Sequence, residues 1–228
     1  MRTKETAALF DAQAARYDAA FDSSHGLARV VPRRTEVALR LIADGPGRLL
    51  DAGIGPGRLA AAVAARGWEV WGADVSAEML GLARARLPDR AEQLVQASIE
   101  ELPFADGAFD CVAATGVLEH VEELERALGE LARVLRAEGR AILSYPNYRT
   151  PISIVRRRAL YPAARLVKRV LPIGSPPPPL HANALGRRTF EQALSRAGFG
   201  VERLEYVGAR AGVGRWAATQ LVYAARRD

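Results

Sequence analysis

The stretch RLLDAGIGPGRLA, residues 48–60, decides the fold of this chain. Its first half is a short apolar run, typical of a strand that is buried on both faces, and its second half has the apolar spacing of a helix. Glycines occupy three of the five positions of GIGPG, residues 53–57, where they permit a tight turn and a close approach to the backbone. The pattern predicts a strand, a glycine loop and a helix, which begin an α/β sheet.

The rest of the chain repeats this alternation of short apolar runs and helical segments. It predicts helices over residues 59–66, 76–87 and 121–135, and a last helix that starts at a Thr189–Gln192 capping box and ends at Gly198. The predicted strands are 48–53, 69–74, 93–97, 109–114, 140–144, 201–207 and 216–225. We therefore expect an α/β fold with a doubly wound, Rossmann-like, seven-stranded, mostly parallel sheet and an antiparallel C-terminal hairpin strand.

Length and composition indicate one globular domain. The chain has 228 residues, of which 49% are hydrophobic and 25% charged, and this balance excludes global disorder. We divide the single domain, 1–228, into N-terminal helices, a ligand-binding core, a basic insertion, and a C-terminal helix with a hairpin. These parts are residues 1–45, 46–147, 148–186 and 187–228.

Cysteine usage and the N-terminal sequence favour a reducing compartment. Cys111 is the only cysteine of the chain, so an intramolecular disulfide is excluded. Charged residues interrupt the N-terminus before any apolar run of signal-peptide length, and no apolar stretch reaches the roughly 18 residues of a membrane span. The sequence therefore predicts a cytoplasmic location.

Positive charge is concentrated in one segment. The chain has 32 basic and 26 acidic residues, a net charge of +6, yet ten basic residues and no acidic one lie between Gly139 and Phe190. This segment could hold an anionic ligand, rest on an anionic membrane surface as a peripheral contact, or form a solvated cationic face over an apolar pocket. Nucleic acid is a disfavoured partner, because the basic insertion, residues 148–186, offers only Tyr148 and Tyr161 for base stacking.

A ligand crevice is expected where the glycine loop follows the first strand, at the carboxyl edge of the sheet. Dinucleotide sites use the spacing G-x-G-x-x-G, whereas this loop has G-x-G-x-G followed by Arg58, which disfavours a nicotinamide oxidoreductase. Asp74 ends the second predicted strand, where a carboxylate can accept both hydroxyls of a ribose. Taken alone, the loop also fits a plain strand-to-helix turn, and Asp74 also fits a capping residue.

Five stretches carry a family resemblance, in the family's order along the chain. They are LLDAGIGPGRLA (49–60), VWGADVSAEML (70–80), IEELPFADGAFDCVAATGVLEHV (99–121), RVLRAEGRAILSYPN (133–147) and TFEQALSRAGF (189–199). As a set they resemble the class I S-adenosylmethionine-dependent methyltransferases, and within that class the small-molecule group of ubiquinone and menaquinone biosynthesis. The resemblance implies S-adenosylmethionine as the cofactor and S-adenosylhomocysteine as the product.

The resemblance also implies roles for residues along the sheet edge. The glycine loop would cradle the methionine part of the cofactor, and Asp74 would bind the ribose. Ser98 stands where the family often has Asp, and with the Ile99 amide it would hold the adenine amino group. The stretch FDAQAARYD, residues 10–18, resembles the family's cofactor-covering helix. The full implied cofactor-binding set is Tyr17, Asp51, Gly53, Gly55, Gly57, Asp74, Val75, Met79, Ser98, Ile99, Thr115 and Gly116.

His120 is the candidate catalytic base. It follows the fourth predicted strand, at the edge that faces the methyl group in the family, and a histidine can accept a proton from a hydroxyl near neutral pH. The same position fits an ordinary histidine at the start of a helix.

A metal site is the alternative interpretation of this region. Some O-methyltransferases carry Glu-x-x-Glu-His at this strand end and a later His as metal ligands, but Gly116 stands here in place of the first Glu. Glu119, His120 and His181 could still form a three-ligand site. Because one ligand of the pattern is missing, we predict no metal.

The sequence thus predicts an enzyme that transfers a methyl group to a small, hydroxylated and largely apolar acceptor. O-methylation is favoured, and N- or C-methylation of a biosynthetic intermediate or lipid-like acceptor is the alternative. A different class of function is also open: a cofactor-binding or partner-binding module without turnover. The glycine loop followed by Asp74 argues for the enzyme.

Overall fold

The computed structural model describes residues 3–20, 30–148, 184–208 and 218–227. Its strands are β1 (Arg48–Ala52), β2 (Glu69–Asp74), β3 (Leu94–Gln96), β4 (Phe109–Ala114), β5 (Leu135–Pro146), β6 (Phe199–Val207) and β7 (Gln220–Arg227). They form one seven-stranded sheet in the order β3-β2-β1-β4-β5-β7-β6. The predicted fold class, with a mostly parallel sheet and antiparallel C-terminal strands, is confirmed.

The described helices lie before, between and after these strands. They are α1 (Thr3–Asp11), α2 (Ala14–Ala20), α3 (Val30–Leu41), α4 (Arg58–Ala64), α5 (Ala77–Arg86), a 3-10 helix (Pro88–Gln93), α6 (Leu124–Val134) and α7 (Arg187–Arg196). None of them is long and apolar enough to cross a membrane. The division of the chain into four parts remains a prediction.

Both faces of the parallel sheet are buried. Along β1 and β4, neighbouring side chains point to opposite faces, so that Leu50 and Val112 join one apolar cluster while Leu49 and Cys111 join the other. This is the arrangement expected of short, continuous apolar strands. It leaves the carboxyl ends of β1, β2, β3 and β4 as the edge where polar loops can gather.

The C-terminal hairpin has the predicted pairing. β7 lies between β5 and β6 and is antiparallel to both, with Leu143 of β5 opposite Tyr223. The start of the predicted last strand at Trp216 lies outside the described residues, as do most of the basic insertion and His181.

β5 is longer than predicted. Phe109 pairs with Leu135 and Cys111 pairs with Arg140, so the register shifts between these two pairs. Glu138 has a left-handed φ of 58°, and residues 136–138 are exposed. The sequence RAEG therefore forms an irregularity within one strand, whereas the prediction ended the helix at residue 135 and began the strand at 140.

Two other local predictions were wrong. The last helix begins at Arg187 with Gly186 as its N-cap, so Thr189 lies inside the helix and the capping box is absent. The stretch FDAQAARYD is divided between α1 and α2. The Gln13 amide donates to the Phe10 carbonyl, three residues earlier, at 3.1 Å, whereas an α-helical bond spans four residues, and this tighter turn ends α1.

Candidate active site

A pocket lies where β1, β2, β3 and β4 end, and the cover, which we define as α1 and α2 (residues 3–20), lies over it. The cavity measures about 70 Å³. It is lined by Thr3, Thr6, Phe10, Tyr17, Gly53, Gly55, Ala73, Asp74, Val75, Met79, Ala97, Ser98, Ile99, Glu100, Thr115, Gly116, Val117, His120, Val121 and Glu122. Ten of the twelve predicted cofactor-binding residues and His120 are therefore neighbours in one lining, and the exceptions are Asp51 and Gly57.

The glycine loop serves two different purposes at Gly55 and Gly57. Gly55 has φ 53° and lines the pocket, and a Cβ there would have no atom within 4 Å. Gly57 has φ 78° and is the N-cap of α4, and a Cβ there would come within 3.1 Å of the Cα and Cβ of Ala83 in α5. Gly55 leaves space on the pocket side, whereas Gly57 lets two helices pack closely.

The variants Gly55→Ala and Gly57→Ala are expected to impair different properties, the first mainly cofactor binding and the second mainly stability. Both place a Cβ on a left-handed residue, which costs roughly 1 kcal/mol. Gly55→Ala should weaken S-adenosylmethionine binding by about tenfold, because the methyl group fills ligand space, with a small loss of stability. Gly57→Ala should cause the larger fall in Tm, because the Ala83 backbone cannot yield. Calorimetric titration and thermal unfolding of both variants test this, and equal losses of Tm would contradict it.

Asp74 is held at the strand end by backbone donors. The amides of Gly55 and Ser76 each donate to one of its carboxylate oxygens at 2.9 Å. Burial raises the pKa of Asp74, while the hydrogen bonds from Ser76, Gly55 and Val75 oppose that rise. A carboxylate has about four lone-pair sites, so acceptor capacity remains for ligand hydroxyls on the pocket side.

Asp51 lies behind the glycine loop rather than in the pocket. Its side chain is buried and accepts a hydrogen bond from the Ala60 amide. Burial and the negative charge of Asp74 raise the pKa of Asp51 to about 8, against an opposing effect of Arg34. A direct cofactor contact by Asp51 or Gly57 remains a prediction.

Asp51→Asn is expected to change how stability depends on pH. The pKa of Asp51 rises from an ordinary value of 3.8 to about 8 on folding, so between these pH values the folded state binds more protons than the unfolded state. Wild-type stability therefore falls as pH rises across this window. The variant cannot ionise, so its Tm minus that of wild type should increase by several degrees from pH 5 to pH 9. A constant difference, as expected for the exposed control Asp44→Asn, would contradict this account.

Ser98 and Glu100 both line the pocket and are paired with each other. The Ser98 hydroxyl donates to Oε2 of Glu100 at 3.4 Å and accepts from the Glu100 amide at 3.2 Å. The other carboxylate oxygen, Oε1, accepts from the amide of Glu123 at 2.6 Å. Sequence analysis missed Glu100, which brings a carboxylate to the pocket next to Ser98.

His120 lines the pocket and faces the cover. Its ring meets the ring of Phe10 edge to face, with centroids 5.1 Å apart. Burial and the positive charge of Arg34 lower the pKa of His120 to about 4. His120 is therefore neutral, in its proton-accepting form, at neutral pH.

The metal alternative gains no support within the described ranges. There, no three His, Cys, Asp or Glu side chains are grouped so that they could hold a metal ion. Glu119 is buried and does not line the pocket, and His181 lies outside the described residues.

Arg34 is the second residue that sequence analysis missed. It is only 5% exposed, and its guanidinium donates to the Tyr17 hydroxyl at 3.3 Å. A Cβ on Gly116 would collide with this guanidinium, so Arg34 lies directly behind the pocket wall. A signal was present in the sequence, because Arg34 lies on the same helical face as Val37, Ala38 and Leu41 of α3.

Comparisons with known proteins find similarity to methyltransferases in both fold and sequence. The fold is similar to that of magnesium protoporphyrin IX methyltransferase (ChlM) from Synechocystis PCC 6803, solved with bound S-adenosylhomocysteine. The TM-score is 0.69 at 20% identity, and the match covers 100% of both chains. Residues 50–143 match the family described as "Methyltransferase domain". Residues 50–143 therefore carry a methyltransferase domain.

Curated relatives of this methyltransferase domain are similar over its core. Demethylmenaquinone methyltransferase from Clavibacter sepedonicus is 42% identical over 113 residues, which cover 48% of this chain and 45% of that protein. Ubiquinone/menaquinone biosynthesis C-methyltransferase UbiE from Pseudomonas putida is 35% identical over 150 residues, 62% of this chain and 58% of that protein. The chain thus spans about half the length of these curated relatives.

The residues of the methyltransferase domain fit its cofactor. Gly55 leaves open space where a side chain would intrude, and Asp74 keeps acceptor capacity for hydroxyl groups. Arg34 places a positive charge close to the Thr115–Gly116 wall, which suits a carboxylate at that end.

Proposed function

We propose that this protein uses S-adenosylmethionine to methylate a hydroxyl group of a small, largely apolar acceptor. One observation carries the proposal: a single lining contains the glycine loop and Asp74 together with His120 and the apolar side chains of Val117 and Val121. Groups suited to the cofactor and an apolar wall with a proton acceptor are the two parts that such a reaction requires.

The cofactor end is formed by Gly53, Gly55 and Asp74, with Ser98 and Glu100 on the adenine side. When bound, S-adenosylmethionine supplies an activated methyl group. The protein's contribution is then to position the acceptor and to exclude water, which can supply much of the acceleration of a displacement reaction. The cover contributes Phe10 and Tyr17 to this enclosure.

His120 is the proposed base for the acceptor hydroxyl. Because its pKa is about 4, it is neutral at physiological pH and a weak base. A weak base is best matched to a hydroxyl that is already acidic, such as a phenol or an enol, rather than to an aliphatic alcohol. We therefore infer that the acceptor is a small compound with an aromatic or enolic hydroxyl group.

C-methylation is the second candidate function. The name of the UbiE relative states C-methyltransfer in quinone biosynthesis. A ring carbon next to a phenolic hydroxyl is nucleophilic, and removal of the phenolic proton by His120 would assist attack from carbon as well as from oxygen. The basic insertion would select anionic acceptors or hold the protein at an anionic membrane, and both remain proposals.

Methyl transfer to a small acceptor panel tests the proposal. The purified protein is incubated with radiolabelled S-adenosylmethionine and, separately, a phenol, a prenylated hydroquinone, an aliphatic alcohol and a primary amine. We expect labelling of the phenol or the hydroquinone, with the methylated atom identified by NMR. Transfer to the amine alone, or no transfer by a protein that binds the cofactor, would contradict it.

A further inference from the structure

The cover is held by few apolar contacts. Among the residues described between Thr3 and Ala19, only the side chains of Thr6 and Ala14 are buried. By contrast, α6 alone buries six residues. A segment with so little buried apolar surface is expected to open locally far more easily than the core does.

Asp18 on α2 ties the cover to both helices that flank the glycine loop. Its carboxylate accepts from Arg58, the first residue of α4, at 2.7 Å and from Arg86, the last residue of α5, at 3.0 Å. Arg86 also donates to the carbonyl of Pro56 in the loop itself. The three charged side chains are only 20–28% exposed, so solvent screens these ion pairs less than pairs at the open surface.

The charge state of Asp18 supports this connection. Burial raises the pKa of Asp18, but hydrogen bonds from Arg58 and Arg86 outweigh that effect and hold the pKa below its ordinary value. The ion pairs are therefore present at neutral pH and weaken only as pH falls through the lowered pKa.

Asp11, at the end of α1, ties the cover to the ribose end of the pocket. The Ser76 hydroxyl donates to Asp11 Oδ1 at 2.6 Å, and the Glu78 amide donates to the same oxygen at 3.2 Å. Ser76 is the N-cap of α5 and follows Asp74 by two residues. A carboxylate at this helix end is also favoured by the helix dipole.

With the cover in this position the cavity is about 70 Å³, below the roughly 300–1,000 Å³ of typical small-molecule sites. The same position brings Phe10 onto His120 and Tyr17 to Arg34. In this position the cover narrows the pocket, and we expect it to move when a cofactor binds or leaves.

We propose that Asp11 and Asp18 are positioning residues that hold α1 and α2 over the pocket and thereby set how fast the product leaves. Asp18 acts through Arg58 and Arg86 on the glycine loop, and Asp11 acts through Ser76 on the strand end at Asp74. This inference rests on the proposed function, because the exchanging ligand is S-adenosylhomocysteine.

Dissociation of S-adenosylhomocysteine from the immobilised full chain, followed by surface plasmon resonance, tests the proposal. Asp18→Asn and Asp11→Asn are each expected to raise the dissociation rate roughly tenfold, the size expected for loss of charge-assisted hydrogen bonds. Asp44→Asn, which removes an exposed carboxylate outside the cover, should leave the rate unchanged. Added salt should speed release from wild type and have less effect on Asp18→Asn.

Two further readouts separate positioning from general destabilisation. Adding Arg58→Gln to Asp18→Asn should raise the rate by a smaller factor than Arg58→Gln raises it in wild type, because both changes break the same ion pair. A residual increase is expected, since Arg58 also donates to the main-chain carbonyl of Asp18 at 3.2 Å. Amide hydrogen exchange of the ligand-free protein should speed up in residues 3–20 of Asp18→Asn and stay at the wild-type rate in α6.

The outcomes distinguish this inference from the function on which it rests. Wild-type dissociation rates and wild-type exchange of residues 3–20 in both aspartate variants would overturn the inference. Failure of the folded wild-type protein to bind S-adenosylhomocysteine would instead contradict the proposed function. In that case the hydrogen-exchange comparison would still decide whether Asp18 holds the cover.

Discussion

Asp74→Ala is expected to weaken S-adenosylmethionine binding by roughly 1.5–3 kcal/mol, a rise in Kd of about 10- to 150-fold. The variant removes the carboxylate that we assign to the ribose. It also removes the acceptor for the amides of Gly55 and Ser76, so the glycine loop loses one of the hydrogen bonds that join it to β2, while those from Gly53 and Ile54 to the Ala73 carbonyl remain. Isothermal titration of the folded variant measures the effect.

Two controls separate these contributions. Asp74→Asn keeps one carbonyl oxygen, so it should fall between wild type and Asp74→Ala. Asp44→Asn removes a carboxylate from an exposed position outside the pocket lining and should bind as wild type does. Unchanged affinity in a folded Asp74→Ala protein would remove this residue from the site.

His120→Ala is expected to lower turnover by roughly 10²–10⁴-fold while leaving cofactor affinity close to wild type. The expected loss is that of the general base. Since the pKa of His120 is about 4, the neutral imidazole is lost as pH falls through that value. In wild type, kcat/KM should therefore rise with pH near 4 and stay level toward neutral pH, and the variant should lack this limb.

His120→Gln is the matched control, because an amide preserves polarity without accepting the proton at useful pH. It should be nearly as slow as His120→Ala. A near-normal rate of either variant on the true acceptor would exclude the base role. If the variants keep the rise of kcat/KM near pH 4, that rise is due to the titration of another group.

The sequence predicted best the features that depend on residues close together along the chain. A buried strand, a glycine loop and a helix follow one another within residues 48–64, so a ligand crevice could be expected at this position from the spacing, and the family resemblance supplied the cofactor. The order of the site residues followed as well, since parallel strands bring their carboxyl ends to one edge. For the same reason Gly55, Asp74 and His120 could be named, and the structure brings them into one lining.

The missed features depend on contacts between distant parts of the chain. Arg34 is hidden among the chain's many arginines, and only its packing behind Gly116 gives it a place in the site. Asp18 and Arg86 are 68 residues apart, so no local pattern could pair them. The irregularity in β5 depends on which residue Phe109 pairs with, and the helical pattern of the preceding segment concealed it.

The separate roles of Gly55 and Gly57 also could not be predicted from the sequence, because they depend on contacts with distant residues. Both glycines are needed in a G-x-G-x-G loop, and spacing gave both the same function. In the structure one of them leaves space in the pocket while the other meets Ala83, which belongs to a different helix.

The central claim is that this pocket binds S-adenosylmethionine, and isothermal titration tests it most directly. The purified full chain is titrated with S-adenosylmethionine and S-adenosylhomocysteine, with NADH as the control for a dinucleotide site. We predict micromolar binding of the first two ligands and none of NADH. Binding of NADH alone, or of none of the three by a protein shown to be folded, would contradict the account.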